Sequence, residues 1–208
     1  MISRLHYITQ ESSNKSHAQM AQEACLAGVD WIQLRVKEKS YSEILSIATE
    51  LKEICKQFNA RLIINDYVSI AKEIDADGLH LGKTDTSVAE ARKLVGNNII
   101  IGGTANTFED IVEHVTNGVD YIGLGPFRFT ETKKNLSPIL GLEGYSAILT
   151  KCKENNITIP ILAIGGITAD DIEVLMKTGI HGIAISSLVS NALNKREVVS
   201  NLLSLINK

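Results

Sequence analysis

The chain has 208 residues, of which 44% are hydrophobic, and this length predicts one domain over residues 1–208 with a sizeable core. Its formal net charge of −3 and its lack of a basic tract argue against a nucleic-acid-binding surface. The N-terminus has no long apolar segment and no stretch approaches the length of a membrane span, so we expect a cytoplasmic protein without membrane contact. Three widely spaced cysteines in helix-like contexts predict buried thiols rather than a metal or disulfide site: Cys25, Cys55 and Cys152.

Eight short apolar segments with strand propensity recur along the chain. In chain order they begin at Arg4 (RLHYIT), Gly28 (GVDWIQL), Arg61 (RLIIND), Ala76 (ADGLHL), Asn98 (NIIIGG), Gly118 (GVDYIGL), Ile159 (IPILAIGG) and Gly179 (GIHGIAI). Every second segment follows an amphipathic stretch that a small residue, usually glycine, can close. This pattern is typical of a helix that leads into a strand, so we predict eight strands.

Helical segments alternate with these strands. The clearest runs from Tyr41 to Phe58, where apolar residues recur at steps of three and four. Seven further helices are predicted to begin near Lys15, Val68, Ser87, Thr107, Leu142, Thr168 and Leu188. The alternation predicts an α/β fold with a parallel sheet and outer helices, and eight units favour a closed, single-domain (β/α)8 TIM barrel. An open, doubly wound sheet is the alternative.

Polar side chains follow the second, third and fourth strands, at the end where such barrels build their active sites. Gln33, Arg35 and Lys37 share one face of the chain, and we expect them to contact a ligand because a helix-covered strand has no solvated face except near its end. Asp66 and Asp85 end neighbouring strands. As a pair they suit Mg²⁺, but each could instead cap the helix that follows it.

Small and hydroxyl-bearing residues follow the seventh and eighth strands. Gly165 and Gly166 end the segment IPILAIGG, and Ser186 and Ser187 follow GIHGIAI. Backbone amides and a hydroxyl at these two strand ends predict a phosphate-binding site.

The segment GLGPFRFTETKKNLSPILG, from Gly123 to Gly141, is longer than an ordinary connection and has no periodicity. Thr130, Thr132 and Lys133 give it two hydroxyls and a cation. This composition is typical of a loop that closes over phosphate groups and excludes water. Together with the cations after the second strand and the pocket after the last two, it predicts a site for a diphosphate and a monophosphate.

Six motifs, in this order and spacing, resemble those of the thiamine phosphate synthase family over nearly the whole chain: QLRVK, IINDY, DGLHLGKTD, GPFRFTETKK, AIGGI and GIAISS. The resemblance implies a barrel enzyme that joins 4-amino-2-methyl-5-pyrimidinylmethyl diphosphate to a thiazole ethyl phosphate with Mg²⁺, giving thiamine phosphate and diphosphate. It implies that diphosphate departs before the thiazole nitrogen attacks, so no general base is obligatory. His80, inside DGLHLGKTD, is accordingly expected to pack or hydrogen-bond near its strand end.

The resemblance also implies a role for each candidate residue. The pyrimidine diphosphate would be held by Gln33, Leu34, Arg35, Val36, Lys37, Asn65 and Lys133, with Thr104 where the family typically has Ser. One Mg²⁺ would be ligated by Asp66 and Asp85. The thiazole phosphate would be held by Thr130, Glu131, Thr132, Gly166, Ser186 and Ser187. The catalytic cations, which stabilise the charge of the departing diphosphate, would be Arg35, Lys37 and Lys133.

The chain departs from the family pattern at three further positions, where Lys83 replaces a usual Gln, Asn106 a usual His and Ser186 a usual Ile. The change at 186 weakens any role for a side chain there, whereas a main-chain contact would survive. Lys83 and Arg128 are cations to which the sequence assigns no role.

Two other functions remain open. A thiazole tautomerase of the same superfamily would carry a His directly after Gly125, where this chain has Pro126. A non-enzymatic, ligand-sensing barrel would need neither a metal-ligating pair nor a phosphate-closing loop. The sequence also leaves open a homo-oligomer and a carboxylated thiazole substrate.

Overall fold

The computed structural model describes residues 1–130 and 137–208. Its eight strands are parallel and close into a barrel in chain order, because each strand pairs with the next and the last pairs with the first. They are β1 (Leu5–Ile8), β2 (Trp31–Leu34), β3 (Arg61–Asn65), β4 (Gly78–Leu81), β5 (Ile100–Ala105), β6 (Tyr121–Leu124), β7 (Ile161–Ile164) and β8 (Gly182–Ile185). The predicted TIM barrel is confirmed, and the open, doubly wound sheet is wrong.

Helices connect the strands on the outside of the barrel. They are α1 (His17–Leu26), α2 (Tyr41–Gln57), α3 (Val68–Glu73), α4 (Val88–Val95), α5 (Phe108–Thr116), α6 (Gly141–Glu154), α7 (Ile172–Lys177, after a 3-10 turn at Ala169–Asp171), α8 (Ser187–Ser190) and α9 (Lys195–Ile206). The eight predicted helices are present. The last helix, α9, was missed because it follows α8 with no strand between them and so falls outside the alternation.

The helix ends follow from local chemistry. Ser16, Ser40 and Thr107 begin α1, α2 and α5 with reciprocal capping boxes. Gly28 and Gly118 close α1 and α5 in the left-handed region, with φ of 104° and 79°. An L side chain is disfavoured there, so the predicted glycine closures are confirmed.

The core has two layers because successive strand residues point to opposite sides of the sheet. One set packs against the helices, and the other fills the barrel with Trp31, Ile63, Tyr121 and Leu162. Each buried aliphatic side chain of this kind contributes roughly 1.5–3 kcal/mol. Tyr121 requires glycine at 102 on the neighbouring strand, since a Cβ on Gly102 would lie 2.1 Å from the tyrosine ring.

Nearer the carboxyl ends of the strands, the side chains inside the barrel become polar, and they form the floor of the candidate site: Gln33, Asn65, His80 and Thr104. The three cysteines are buried and free, as predicted. Across residues 1–130 and 137–208, each helix is too short or too polar to cross a membrane.

Candidate active site

The amides of Gln33 and Asn65 meet at the ends of β2 and β3. Gln33 Nε2 donates to Asn65 Oδ1 over 2.7 Å, and the two residues are only 4% and 9% exposed. This bond fixes the orientation of both amides. Leu34 and Val36 have the opposite parity and are buried among the helices, so only their main chain could contact a substrate.

The segment that carries Arg35 and Lys37 is held by side chains from the end of β1. Arg35 N donates to Thr9 Oγ1 and Lys37 N donates to Glu11 Oε1, each over 3.2 Å. Burial lowers the pKa of the Arg35 guanidinium, while Asp66 and Glu11 oppose this shift. The guanidinium therefore lies in a partly desolvated place, where its charge acts strongly on an anion.

Neither Asp66 nor Asp85 caps a helix, so the capping interpretation is wrong. The residue before α3 is Tyr67, which makes no side-chain capping bond, and α4 is capped by Ser87, whose hydroxyl accepts from Glu90 N over 3.3 Å. Asp85 Oδ2 instead accepts from Gly82 N over 2.7 Å, which closes the turn after β4.

Burial, and then the neighbouring carboxyl group of Asp85, raise the pKa of Asp66 to about 7. Arg35 and Lys37 partly offset the rise. Asp66 holds an uncommon left-handed conformation, φ 66°, with its amide donating to His80 O over 2.9 Å. Two crowded carboxylates of this kind are stabilised by a cation, so their chemistry fits Mg²⁺.

A magnesium ion here would depend on more than protein ligands. Within the described ranges, no group of three or more His, Cys, Asp or Glu side chains is arranged to hold a metal. Mg²⁺ commonly takes one or two carboxylates and completes its shell with water and phosphate oxygens, so a pair of Asp residues is sufficient.

His80 is part of the barrel's interior packing. It is buried, and its ring nitrogens lie 3.0 Å from the Tyr121 hydroxyl and 3.1 Å from Thr104 Oγ1. The imidazole therefore orients Thr104, the hydroxyl that the sequence assigned to the diphosphate site. This geometry agrees with the packing role predicted for His80.

The loop after β6 has a closed base. Leu140 N donates to Pro126 O over 2.9 Å, and Gly141 N donates to Phe127 O over 3.0 Å. These bonds join the two arms of the loop just before α6 begins, and we call the joined arms, residues 125–129 and 138–141, the loop stem. The stem fixes where the hydroxyl-rich segment leaves and rejoins the barrel.

Asn106 ties both arms of the loop stem to the end of β5. Its Nδ2 donates to Gly125 O over 3.0 Å and to Pro138 O over 2.9 Å, and its main-chain N donates to Asp110 Oδ2 over 2.8 Å. Asp110 also pairs with Lys83. Lys83, to which the sequence assigned no role, thus has a partner at the start of α5.

Arg128 binds the loop stem to the end of β7. Its guanidinium makes a bidentate pair with Asp171, at 2.7 and 2.8 Å, and donates to Gly166 O over 3.2 Å. Arg128 holds the pKa of Asp171 down, at about 2. Glycine is required beneath the stem, since a Cβ on Gly166 would lie 2.6 Å from Phe129 O.

The two serines after β8 differ. Ser186 Oγ donates to Ile8 O over 2.7 Å and lies 3.0 Å from Gln10 Oε1, so this side chain ties β8 to the end of β1. Ser187 is exposed at the first position of α8. A phosphate would therefore meet the main chain at 186 and the hydroxyl at 187.

The structure thus gathers the predicted residues of β2 to β4 at one rim and brings Gly166 beneath the loop stem. Glu131, Thr132 and Lys133 lie outside the described residues. Sequence reasoning missed Thr9 and Glu11 and named Asn106 only as a departure from the family pattern, although the first two carry the same signal as the residues that were found. They are polar side chains that directly follow a strand, β1.

Comparison with known proteins agrees with this geometry. A family model described as thiamine monophosphate synthase matches residues 5–189. Thiamine-phosphate synthases from Bacteroides fragilis and Flavobacterium johnsoniae are each 49% identical to this chain and cover 97% of it, over 98% and 95% of their own lengths. A solved thiamine phosphate pyrophosphorylase from Pyrococcus furiosus superposes with a TM-score of 0.84 at 30% identity, covering 98% of this chain and 95% of its own. This chain belongs to the thiamine monophosphate synthase family.

Proposed function

We propose that this protein is a transferase of thiamine biosynthesis that joins 4-amino-2-methyl-5-pyrimidinylmethyl diphosphate to a thiazole ethyl phosphate, releasing thiamine phosphate and diphosphate. One observation carries this proposal. The carboxylates of Asp66 and Asp85 are neighbours beside the cations of Arg35 and Lys37 at the ends of β2 to β4. A paired-carboxylate site beside cations suits a magnesium-bound diphosphate leaving group.

We further propose that Asp66 and Asp85 hold one Mg²⁺. The raised pKa of Asp66 supports this assignment, since a cation relieves the repulsion that raises it. When bound, the ion would offset the negative charge of the diphosphate.

The cations of this chain have the main catalytic task. The bond from the pyrimidine methylene carbon to the diphosphate oxygen breaks, its electron pair leaves with the diphosphate, and the thiazole nitrogen then donates its lone pair to the methylene carbon. Arg35, Lys37 and Lys133 would stabilise the charge on the departing group, and Gln33 and Asn65 would orient the ring. The thiazole nitrogen carries no proton that must be removed, so a general base is unnecessary.

The second substrate would bind between the loop and the ends of β7 and β8. In this proposal Thr104 contacts the diphosphate side, and the thiazole phosphate is held by Thr130, Glu131, Thr132, Gly166, Ser186 and Ser187. The main chain of Ser186 would make its contact, because the side chain is bonded to β1. Arg128 of the loop stem donates to Gly166 O, and this contact between the stem and the end of β7 supports a phosphate site beneath the stem.

The other two functions account less well for these residues. A tautomerase would place an imidazole at position 126, where Pro126 is buried in the loop stem. A sensor would have no need of two carboxylates that destabilise each other in the absence of a cation.

The test supplies both substrates with Mg²⁺ and measures thiamine phosphate and released diphosphate. We expect equal amounts of the two products and no reaction when either substrate is omitted. Isomerisation of a thiazole carboxylate without joining would support the tautomerase instead. Tight binding of either substrate without turnover would support the sensor.

A further inference from the structure

Two main-chain amides of the segment after β2 are held by one group of side chains. Arg35 N donates to Thr9 Oγ1, and Lys37 N donates to Glu11 Oε1. Between these acceptors lies His17, with Nδ1 2.8 Å from Thr9 Oγ1 and Nε2 3.3 Å from Glu11 Oε1. We call Thr9, Glu11 and His17 the β1 clamp.

Each proton in the β1 clamp has one consistent place. Glu11 is a carboxylate and only accepts hydrogen bonds, so the neutral His17 ring turns an N–H toward it and leaves Nδ1 to accept the hydroxyl proton of Thr9. The Thr9 oxygen in turn accepts the Arg35 amide proton. The ring proton then sits on Nε2 and is donated to Glu11, which also receives the amide proton of Lys37. The five groups form one continuous chain that brackets Val36, whose side chain is anchored in the core.

The surroundings of His17 keep the ring neutral and in place. It is the first residue of α1 and only 5% exposed, and the Ser16 capping box fixes the helix turn that carries it. Burial lowers the pKa of His17, although Glu11 opposes the shift. A neutral ring supplies one donor and one acceptor, as the β1 clamp needs.

We propose that His17 is a positioning residue of the active site: through Thr9 and Glu11 it fixes the main chain on both sides of Val36 and so aims Arg35 and Lys37 at the diphosphate. This inference rests on the proposed function. It explains why an irregular connection between β2 and α2 can carry two groups that must be placed accurately, since a catalytic group displaced by about 1 Å loses much of its effect.

Three variants test the proposal. His17→Phe fills the site but removes both polar atoms, Thr9→Val removes only the hydroxyl, and His17→Gln keeps a donor that can reach Glu11. For His17→Phe we expect kcat/KM for the pyrimidine diphosphate to fall by about tenfold or more, with KM for the thiazole phosphate unchanged. Thr9→Val should lose less, and His17→Gln should recover part of the loss.

Asn194→Ala is the matched control, because it removes the side-chain cap of α9 and leaves both the β1 clamp and the turn that carries His17 intact. It should lower the melting temperature and leave the kinetics of both substrates close to wild type. Equal rises of KM for both substrates in His17→Phe, or an Asn194→Ala variant with the same kinetic loss, would mean that His17 serves only folding.

Amide hydrogen exchange gives a readout that needs no turnover. In His17→Phe and Thr9→Val, exchange at Arg35 and Lys37 should accelerate, while exchange at Ile122, bonded to Pro160 O in the opposite part of the barrel, should not. Unchanged exchange at both positions would overturn the proposal. A wild-type protein without turnover would contradict the proposed function alone, and the exchange rates would still decide the role of the β1 clamp.

Discussion

The rim formed by the ends of β2 to β4 and the rim formed by the ends of β5 to β8 present different chemical groups. The first presents charged side chains, with Asp66 and Asp85 beside Arg35 and Lys37. The second presents glycine, hydroxyls and main chain beneath the loop stem. The first rim therefore acts through charged side chains, whereas the second acts through the position of its main chain. Substitutions on the two rims should accordingly change different kinetic constants.

The difference has a physical basis. Charge acts over several ångströms and depends on burial, so the first rim should be sensitive to loss of a single carboxylate or cation. Contacts from main-chain atoms depend on how accurately those atoms are held, so the second rim should be sensitive to loss of the hydrogen bonds that fix the loop stem. The first class of change should alter turnover and metal dependence, and the second should alter affinity for the thiazole phosphate.

The largest expected effect is on the carboxylate pair. Asp66→Ala or Asp85→Ala should lower activity at limiting Mg²⁺ by about a hundredfold or more, because one of two proposed ligands is lost. The thermal midpoint of Asp66→Ala should change little, since Asp66 caps no helix, whereas that of Asp85→Ala should fall by the effect of one lost hydrogen bond, because Asp85 accepts from Gly82 N. Steady-state assays across Mg²⁺ concentrations and thermal melts of the same samples provide the check.

Ser87→Ala is the control for that experiment. Ser87 is the true cap of α4, so its loss should cost about 1 kcal/mol of stability with little effect on activity. An Asp85→Ala variant that behaves like Ser87→Ala would make Asp85 a structural residue.

Lys133→Ala should come next, and it tests whether the loop also contributes charge to the first rim. We expect kcat to fall by roughly 10²-fold with a smaller change in KM, because a cation on the departing diphosphate acts most strongly as charge develops. Lys134→Ala, the neighbouring cation in the sequence, is the comparison. Unchanged kcat with a raised KM in Lys133→Ala would assign the lysine to ground-state binding.

Asn106 tests the second rim. Asn106→Ala removes both bonds to the loop stem and should destabilise the protein by about 1–3 kcal/mol, while KM for the thiazole phosphate rises by about tenfold. Asn106→Asp should be worse near neutral pH, because a carboxylate would face the carbonyls of Gly125 and Pro138. Asn155→Ala is the control, because it removes an exposed hydrogen bond from a side-chain amide at the end of α6.

If the bonds from Asn106 to the loop stem matter only for folding, Asn106→Ala will lower the stability of the protein and leave KM for both substrates at the wild-type level. Binding measured with inorganic phosphate would then also be unchanged. That result would separate the stem from the substrate site and weaken the contrast between the two rims.

The grouping of charges on the first rim was largely predictable from the sequence, whereas the contacts that hold the loop stem on the second rim were not. Arg35, Lys37, Asp66 and Asp85 are charged residues directly after apolar strands, and the barrel's closure brings such positions together. The role of Asn106 depends on where two loop arms separated by thirteen positions return, which no local pattern records. The closed barrel was predictable because hydrophobic alternation repeats eight times, whereas α9 was missed because it breaks that alternation.

Side-chain partners were the hardest part to predict. Lys83 and Arg128 had no assigned role in the sequence, and each has a carboxylate partner in a different βα unit, Asp110 and Asp171. Such pairs depend on the tertiary position of the following helix. The sequence therefore showed which charged residues are present but not which of them form ion pairs.

The smallest expected effect concerns the pair of Arg128 and Asp171, which joins the loop stem to β7. Arg128 and then Thr168 hold the pKa of Asp171 at about 2, below its ordinary value near 4. A depressed folded-state pKa contributes stability above about pH 4, and that contribution is lost as pH falls from about 4 to about 2. Because the Arg128 side chain is 50% exposed, the part that depends on it should be about 1 kcal/mol or less.

Arg128→Gln tests that contribution, since it removes the cation and leaves the bonds from Thr168 to Asp171 in place. Urea unfolding at pH 7 and near pH 3 should show that the variant is less stable than wild type at pH 7 and that the gap narrows in acid. Asp170→Asn, at the exposed neighbouring carboxylate, should keep the wild-type difference between the two pH values. A gap between Arg128→Gln and wild type that stays constant with pH would mean that Arg128 stabilises the stem through its contact with Phe127, whose ring centroid lies 5.1 Å from the guanidinium carbon, and not through its ion pair with Asp171.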